Sequence, residues 1–387
     1  LAFAIVTPYT IRKSRTGAVL ARLLGRTSSE LIATQMFAPD HEMAERYASS
    51  IRTADNTEDE EYRRLIRAYI RQNFSPDRNG HRHRVLLLVF RGENAYEDVN
   101  RTVGRLRISS MTGETIRDTY GDLVKDEDGS VRYFEPGVLT PDSEETVNED
   151  LALWLDFAEK SPALLEGICK YDSTAPIQQT LVLIKPDAWQ QRSSRPGSIV
   201  DMFSRTGLRI IACKLCRLSV AQALEFYGPV KDVLKKKLAP GIGERAKALL
   251  EKELQIGLPE NAERCLVESV GIPYAVDQFE RIVEFMAGTR PSKCSEDERN
   301  APGKACTLAL VYEGPDAVPQ IRQVLGPTDP TKAPHGTVRR EFGSDIMVNT
   351  AHASDSPENA QREMAILNMR EGSFVPIVKK ALEEISV

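Results

Sequence analysis

Residues 349 to 356 read Asn-Thr-Ala-His-Ala-Ser-Asp-Ser, and shortly upstream lies Gly-Thr-Val-Arg-Arg-Glu-Phe-Gly at 336 to 343. One histidine, His352, thus sits among groups suited to binding and moving phosphate. A neutral imidazole is a good nucleophile near pH 7 and can carry a phosphoryl group covalently, provided one partner fixes the ring and cations absorb the oxygen charge. The chain has no Gly-x4-Gly-Lys-Ser/Thr loop whose backbone amides could cradle phosphate, so side-chain cations must hold it. His352, Ser354 and Asp355 are too close in sequence to form a hydrolase's line of nucleophile, base and orienter.

Further motifs support the phosphoryl-transfer reading. Thr180 to Ala188 reads TLVLIKPDA, Glu225 to Tyr227 reads EFY, and Ala317 to Pro330 reads AVPQIRQVLGPTDP. Together with the two segments above, in this order, they resemble the nucleoside diphosphate kinase family, whose active-site pattern is Asn-x-x-His-Gly-Ser-Asp preceded by Gly-Thr-Ile-Arg-x-x-Phe. The resemblance covers about residues 178 to 387, with two insertions. It implies that Lys185 and Arg339 meet the transferring phosphate, Arg322 and Thr328 hold its neighbour, Asn349 bonds the sugar hydroxyl, and Tyr227 lies beside the nucleophile. It further implies that Glu363 orients the histidine, that Ser354 assists, and that Ile346 and Phe279 clamp the base without strong selectivity. Mg2+ would arrive with the nucleotide phosphates, and no metal site of the protein's own is expected. Ala353 replaces the family's glycine after the histidine, a small-for-small change unless positive φ is required. Val348 and His335 also depart from the pattern, without removing a chemical group.

A fainter copy occupies the rest of the chain. RTGAVLARLLGRTSSELIATQMFAP at 15 to 39 tracks RPGSIVDMFSRTGLRIIACKLCRLS at 195 to 219, and GETIRDTYG at 113 to 121 tracks HGTVRREFG at 335 to 343. The halves part where chemistry requires identity: Thr7 stands for Lys185, Asn100 for Arg322, Pro136 for Asn349 and Leu139 for His352. Arg117 still matches Arg339, and Tyr47 matches Tyr227. The expected organisation is a degenerate kinase-like domain over 1–150, a helical linker over 151–177, and a kinase-like domain over 178–387 with insertions near 230–275 and 289–304.

These groups need a scaffold, and the hydrophobic patterns supply one. In the second half TLVLIKP, LRIIACKLCRL and CTLALVYEG read as strands, while SIVDMFSRTG, VAQALEFYG, FERIVEFMAG, AVPQIRQVLG and ENAQREMAILN read as helices. Gly207 and Gly228 are expected to close two of them. The alternation fits an α/β class fold, an α+β sandwich of two ferredoxin-like βαββαβ domains with antiparallel sheets, which the resemblance also implies. In the first half, Asp128-Gly129 predicts an extra hairpin joining 120–124 to 131–134.

The 387 residues allow two to three domains, and a net charge of −5 argues against a protein that coats nucleic acid. The longest apolar runs are strand-sized, too short to cross a bilayer, and residues 1–6 do not resemble a secretory signal, so a cytoplasmic, non-membrane protein is expected. Cys213 and Cys216 lie in one strand-like run with no second pair to complete a zinc site. Lys235 to Lys237 read as a solvated helix face, and Gly241-Ile-Gly243 lacks the preceding strand of a dinucleotide turn. The expected partners are NTP and NDP, with self-association, a trimer of two-domain chains being the arrangement that duplication suggests. Two functions remain open: a nucleoside diphosphate kinase acting through phosphohistidine, or a non-catalytic, nucleotide-binding assembly protein built from tandem kinase-like folds.

Overall fold

A computed structural model describes residues 1–55, 57–104 and 113–385. Two four-stranded antiparallel sheets carry the chain. In the first, β1 (Ala2–Val6), β2 (Glu30–Phe37), β3 (Val85–Arg91) and β6 (Val138–Leu139) lie in the order β2-β3-β1-β6, and a separate hairpin joins β4 (Asp122–Lys125) to β5 (Val131–Glu135). In the second, β7 (Ile177–Ile184), β8 (Arg209–Cys216), β9 (Thr307–Pro315) and β10 (Ala351–Ala353) lie in the order β10-β7-β9-β8. Numbered within its own half, each sheet reads 4-1-3-2, the ferredoxin-like order. The central strands are apolar on both faces, as strands covered by helices must be: all of β1 is buried, as are the first six residues of β3. The expected hairpin forms with Asp122 opposite Glu135.

By contact density the chain divides into two compact units, residues 1–215 with 308–387, and residues 216–307. Both sheets belong to the first unit, which differs from a division into halves joined by a linker. The reason is packing. Helix Val147–Glu159, which overlaps the expected linker, sends Leu151 and Trp154 into the first half's core beside Phe3 and Tyr47, and the C-terminal helix Phe374–Ile385 adds Phe374 and Val378 to that same core. The Phe37 ring lies 5.3 Å from Trp154 and 5.4 Å from Phe374.

Helices Thr16–Arg26 and Arg195–Ser204 pack together at the junction of the halves. A Cβ on Gly17 would lie 2.7 Å from the Gly197 carbonyl oxygen, and one on Gly197 would lie 2.6 Å from that of Gly17. The contact is reciprocal, as it would be between two copies of one surface.

The second unit is helical. Helix Val220–Phe226 opens with a capping box on Ser219 and ends beside Gly228 as expected, and Gly228 also begins the next helix, Gly228–Leu254. Its Pro at the second helical position needs no N–H partner, which makes the restart inexpensive. Gly243 sits against Val267 and Gly271 against Ala239, so these glycines serve close helix packing within the unit. Helix Ile272–Ala287 ends on Gly288 at φ 76°.

Candidate active site

His352 is the middle residue of β10, paired with Leu183 of β7, and Thr350 just before the strand adopts φ 68°. A β-branched residue in that region is strained, and such strain concentrates where geometry is held for function. Ala353 pairs with Val182 within the strand and is not among the positive-φ residues, so the family's glycine is not needed there. Helix Pro357–Ile366, capped by Ser356, turns the buried Glu363 back toward the strand. The His352 Nε2 lies 3.0 Å from Glu363 Oε2, and Ser354 Oγ donates to the same oxygen at 2.6 Å. A carboxylate there holds the ring with Nε2 protonated, which leaves the nucleophilic lone pair on Nδ1.

Cations surround this pair. Lys185 follows β7, and its backbone N–H donates to the Thr350 carbonyl at 2.9 Å. Its ammonium is buried and donates to Asn349 Oδ1 at 2.7 Å. Burial first, then the neighbouring Arg339 charge, pushes its pKa down to about 7, while Asp187 and Asp345 oppose the shift. Arg339, on the short helix Val338–Phe342, is buried and donates to the carbonyls of Gly326 and Ala351, each at 3.1 Å. Asn349 Nδ2 donates to the carbonyls of Thr328 at 3.2 Å and Ile346 at 2.6 Å, tying the 328 loop to the 346 turn. Arg322 and Thr328 are exposed, and Ile346 is 63% exposed. The Asp355 carboxyl is held below its ordinary value by Asn359 and, to a smaller degree, by the positive charge of Arg322.

The family model for nucleoside diphosphate kinase matches residues 178–237 and 298–371. The chain is 32% identical over 190 residues to a nucleoside diphosphate kinase of Bdellovibrio bacteriovorus, covering 49% of this chain and 92% of that protein. It is 30% identical to one from Staphylothermus marinus, covering 49% and 92%. A crystal structure of an NDP kinase from Pyrobaculum aerophilum is similar to it at 25% identity and a TM-score of 0.34, covering 49% of this chain and 95% of that one. The chain belongs to the nucleoside diphosphate kinase family.

Within this nucleoside diphosphate kinase fold, the first half repeats the strand geometry with different side chains. Leu139 pairs with Ile5 of β1 as His352 pairs with Leu183 of β7, placing an apolar side chain in the position that His352 holds in the second half. Gly137 at φ 69° stands for Thr350, and its carbonyl accepts from the Thr7 N–H at 3.2 Å. Arg117 donates to the carbonyls of Gly104 and Val138, as Arg339 does to those of Gly326 and Ala351. The lysine's space is taken by a hydrogen-bonded network in which Thr7 Oγ1 donates to Glu135 Oε1 at 2.9 Å and Tyr69 donates to Glu135 Oε2 at 2.7 Å. Asp150 is the buried counterpart of Glu363; it accepts from Ser50 at 2.6 Å, and burial pushes its pKa up to about 6.

The structure brings together His352, Glu363, Ser354, Lys185, Asn349 and Arg339, with Thr328 and Ile346 joined through Asn349. Tyr227 and Phe279 belong to the second unit. Tyr227 caps helix Val220–Phe226, and Phe279 is 2% exposed in helix Ile272–Ala287 with the Lys231 ammonium 5.6 Å from its ring, so its faces are already committed to packing. Two supporting residues escaped the sequence reading of roles. Asp187 pairs with Arg195 at 3.1 Å, and Arg195 also donates to the Phe342 carbonyl, linking the lysine turn to the arginine helix. The Lys-Pro-Asp motif contained Asp187, but Arg195 carries no local signal for a partner 147 residues away.

Proposed function

We propose that the chain is a nucleoside diphosphate kinase that moves the terminal phosphate of an NTP to an NDP through a phosphohistidine on His352. The observation carrying this reading is the hydrogen-bonded line Ser354, Glu363, His352 beside two buried cations, Lys185 and Arg339. Nδ1 attacks the terminal phosphorus, the bond from phosphorus to the bridging oxygen breaks, and NDP leaves with that electron pair. An acceptor NDP then attacks the phosphoryl group and restores the imidazole. Phosphoryl transfer depends on positioning and charge neutralisation, which guanidinium and ammonium groups supply. Arg322, exposed on helix Ala317–Leu325, and Thr328 are assigned to the neighbouring phosphate, Asn349 to the sugar, and Ile346 to the base. Phe279 is left out because its ring is buried.

Among the described residues no three His, Cys, Asp or Glu side chains are arranged to hold a metal. Magnesium enters this proposal as the counter-ion of the nucleotide phosphates, where it would neutralise charge. The first half, with Leu139 at the nucleophile's position, is proposed to be a duplicated copy serving as a packing partner. That copy favours a second reading, an assembly protein whose second site binds nucleotide without turning it over. Incubation with labelled ATP and magnesium decides between them. Acid-labile, alkali-stable label should appear on the wild type and vanish, with NDP-dependent turnover, in His352→Ala; undiminished turnover in that variant would end the catalytic reading.

A further inference from the structure

Within the first unit, the two halves enclose a cavity of about 480 Å³ that shares no lining residue with the His352 cluster. Arg12, Arg82 and Arg84 enter its wall from the first half, Lys170 from the connection, and Arg209 from β8. Ile11 and Leu208 add apolar surface. Arg84 crosses the junction to donate to the Ile210 carbonyl. Its burial holds the guanidinium below its ordinary value, with Arg209 as a further unfavourable charge. Arg209 lies 4.9 Å from the Tyr171 ring.

Glu313 attracts the Arg84 charge and Glu135 that of Arg12, but the carboxylates near this wall are hydrogen-bonded to other groups. Asp77 accepts from His81 Nδ1 at 2.8 Å, and Glu313 accepts from Tyr171 at 3.1 Å and from Gln179 at 2.9 Å. Among the described residues, none of the five cations takes part in an ion pair. Five cations converging from four segments on one concavity, in a chain whose net charge is negative, concentrate an attractive field for anions. The volume suits a small molecule, and guanidinium pairs match phosphate oxygens.

We propose that this cavity binds a small phosphate-bearing anion carrying two or more charges, with Arg84 and Arg209 on one phosphate and Arg12, Arg82 and Lys170 on the remaining charge. Because the cations come from both halves, such a ligand binds only the assembled junction and stabilises it.

Inorganic pyrophosphate is the probe, titrated into full-length Arg322→Ala so that the catalytic cluster is weakened as a competing site. Calorimetry should show saturable binding, and thermal unfolding should shift upward beyond the effect of sodium chloride at equal ionic strength. The triple variant Arg12→Gln, Arg82→Gln, Lys170→Gln in that background alters only exposed residues and should lose at least tenfold in affinity. Arg84→Gln should lose more. Unchanged affinity in the triple variant, a thermal shift reproduced by chloride, or no saturable binding would each overturn the proposal.

Discussion

At the scale of single residues, Lys185 joins the site's electrostatics to its working pH. Its ammonium is buried beside Arg339, and its pKa falls to about 7, so the nucleotide-free protein loses this charge as pH rises through neutrality. A phosphate needs the charged form. The kcat/KM for NTP should therefore decline above about pH 7, since that quantity reports groups of the free protein. Lys185→Arg keeps its charge at all these pH values and should show a lower but flat profile over the same range; a wild-type profile flat from pH 6 to 9 would refute the argument. Asp150 gives the opposite kind of test. Its folded pKa of about 6 lies above the ordinary 3.8, so between those values the folded chain binds more protons than the unfolded one. Stability must then fall as pH rises through that window and level off above it. Asp150→Asn should remove this slope and raise stability at pH 7 by about 1–3 kcal/mol, read from denaturant unfolding.

At the scale of elements, the junction of helices Thr16–Arg26 and Arg195–Ser204 depends on two absent side chains. A Cβ on Gly197 would stand 2.0 Å from the Ala21 backbone nitrogen, a distance that rotamer adjustment cannot relieve because the obstacle is backbone. Gly197→Ala should therefore separate the helices and cost about 1–3 kcal/mol, measurable as a lowered Tm, whereas Gly241→Ala, with nothing near the added carbon, should cost far less. Strands and most helices were legible in the sequence because apolar periodicity is a local signal: CTLALVYEG is β9, AVPQIRQVLG is helix Ala317–Leu325, and the Asp-Gly turn marks its hairpin. Helix VAQALEFYG ends next to Gly228 as its pattern suggested, whereas the new helix that Gly228-Pro229 opens was not legible, because a glycine that follows one helix and a Gly-Pro that starts another look alike in sequence. The cluster around His352 was legible through its spaced motifs. The Arg195 link and the placement of Phe374 in the first half's core were not, since both join residues far apart in the chain, which no periodicity records.

At the scale of the whole molecule, one chain carries two sheets of the same order but a histidine in only one of the two equivalent fourth-strand positions, His352 against Leu139. Leu139 cannot accept a phosphoryl group, and Thr7 and Asn100 cannot replace Lys185 and Arg322. Saturating phosphorylation should therefore approach one phosphate per chain, all of it on the peptide containing His352; a second equivalent, or label on His41, His81 or His83, would contradict this. The first half is nevertheless expected to be needed for folding. Phe374 and Val378 complete its core, so residues 178–387 alone would expose that helix face to water and should aggregate or unfold. The reciprocal contact between Gly17 and Gly197 is the kind of surface two separate subunits would otherwise share, and on the proposed reading each chain would act as an internal pair. Three such pairs would form a closed ring with three active histidines. Light scattering at micromolar concentration tests the assembly: a mass near three times 43.1 kDa is expected, and a mass near that of one chain would show that the internal pair is the complete assembly.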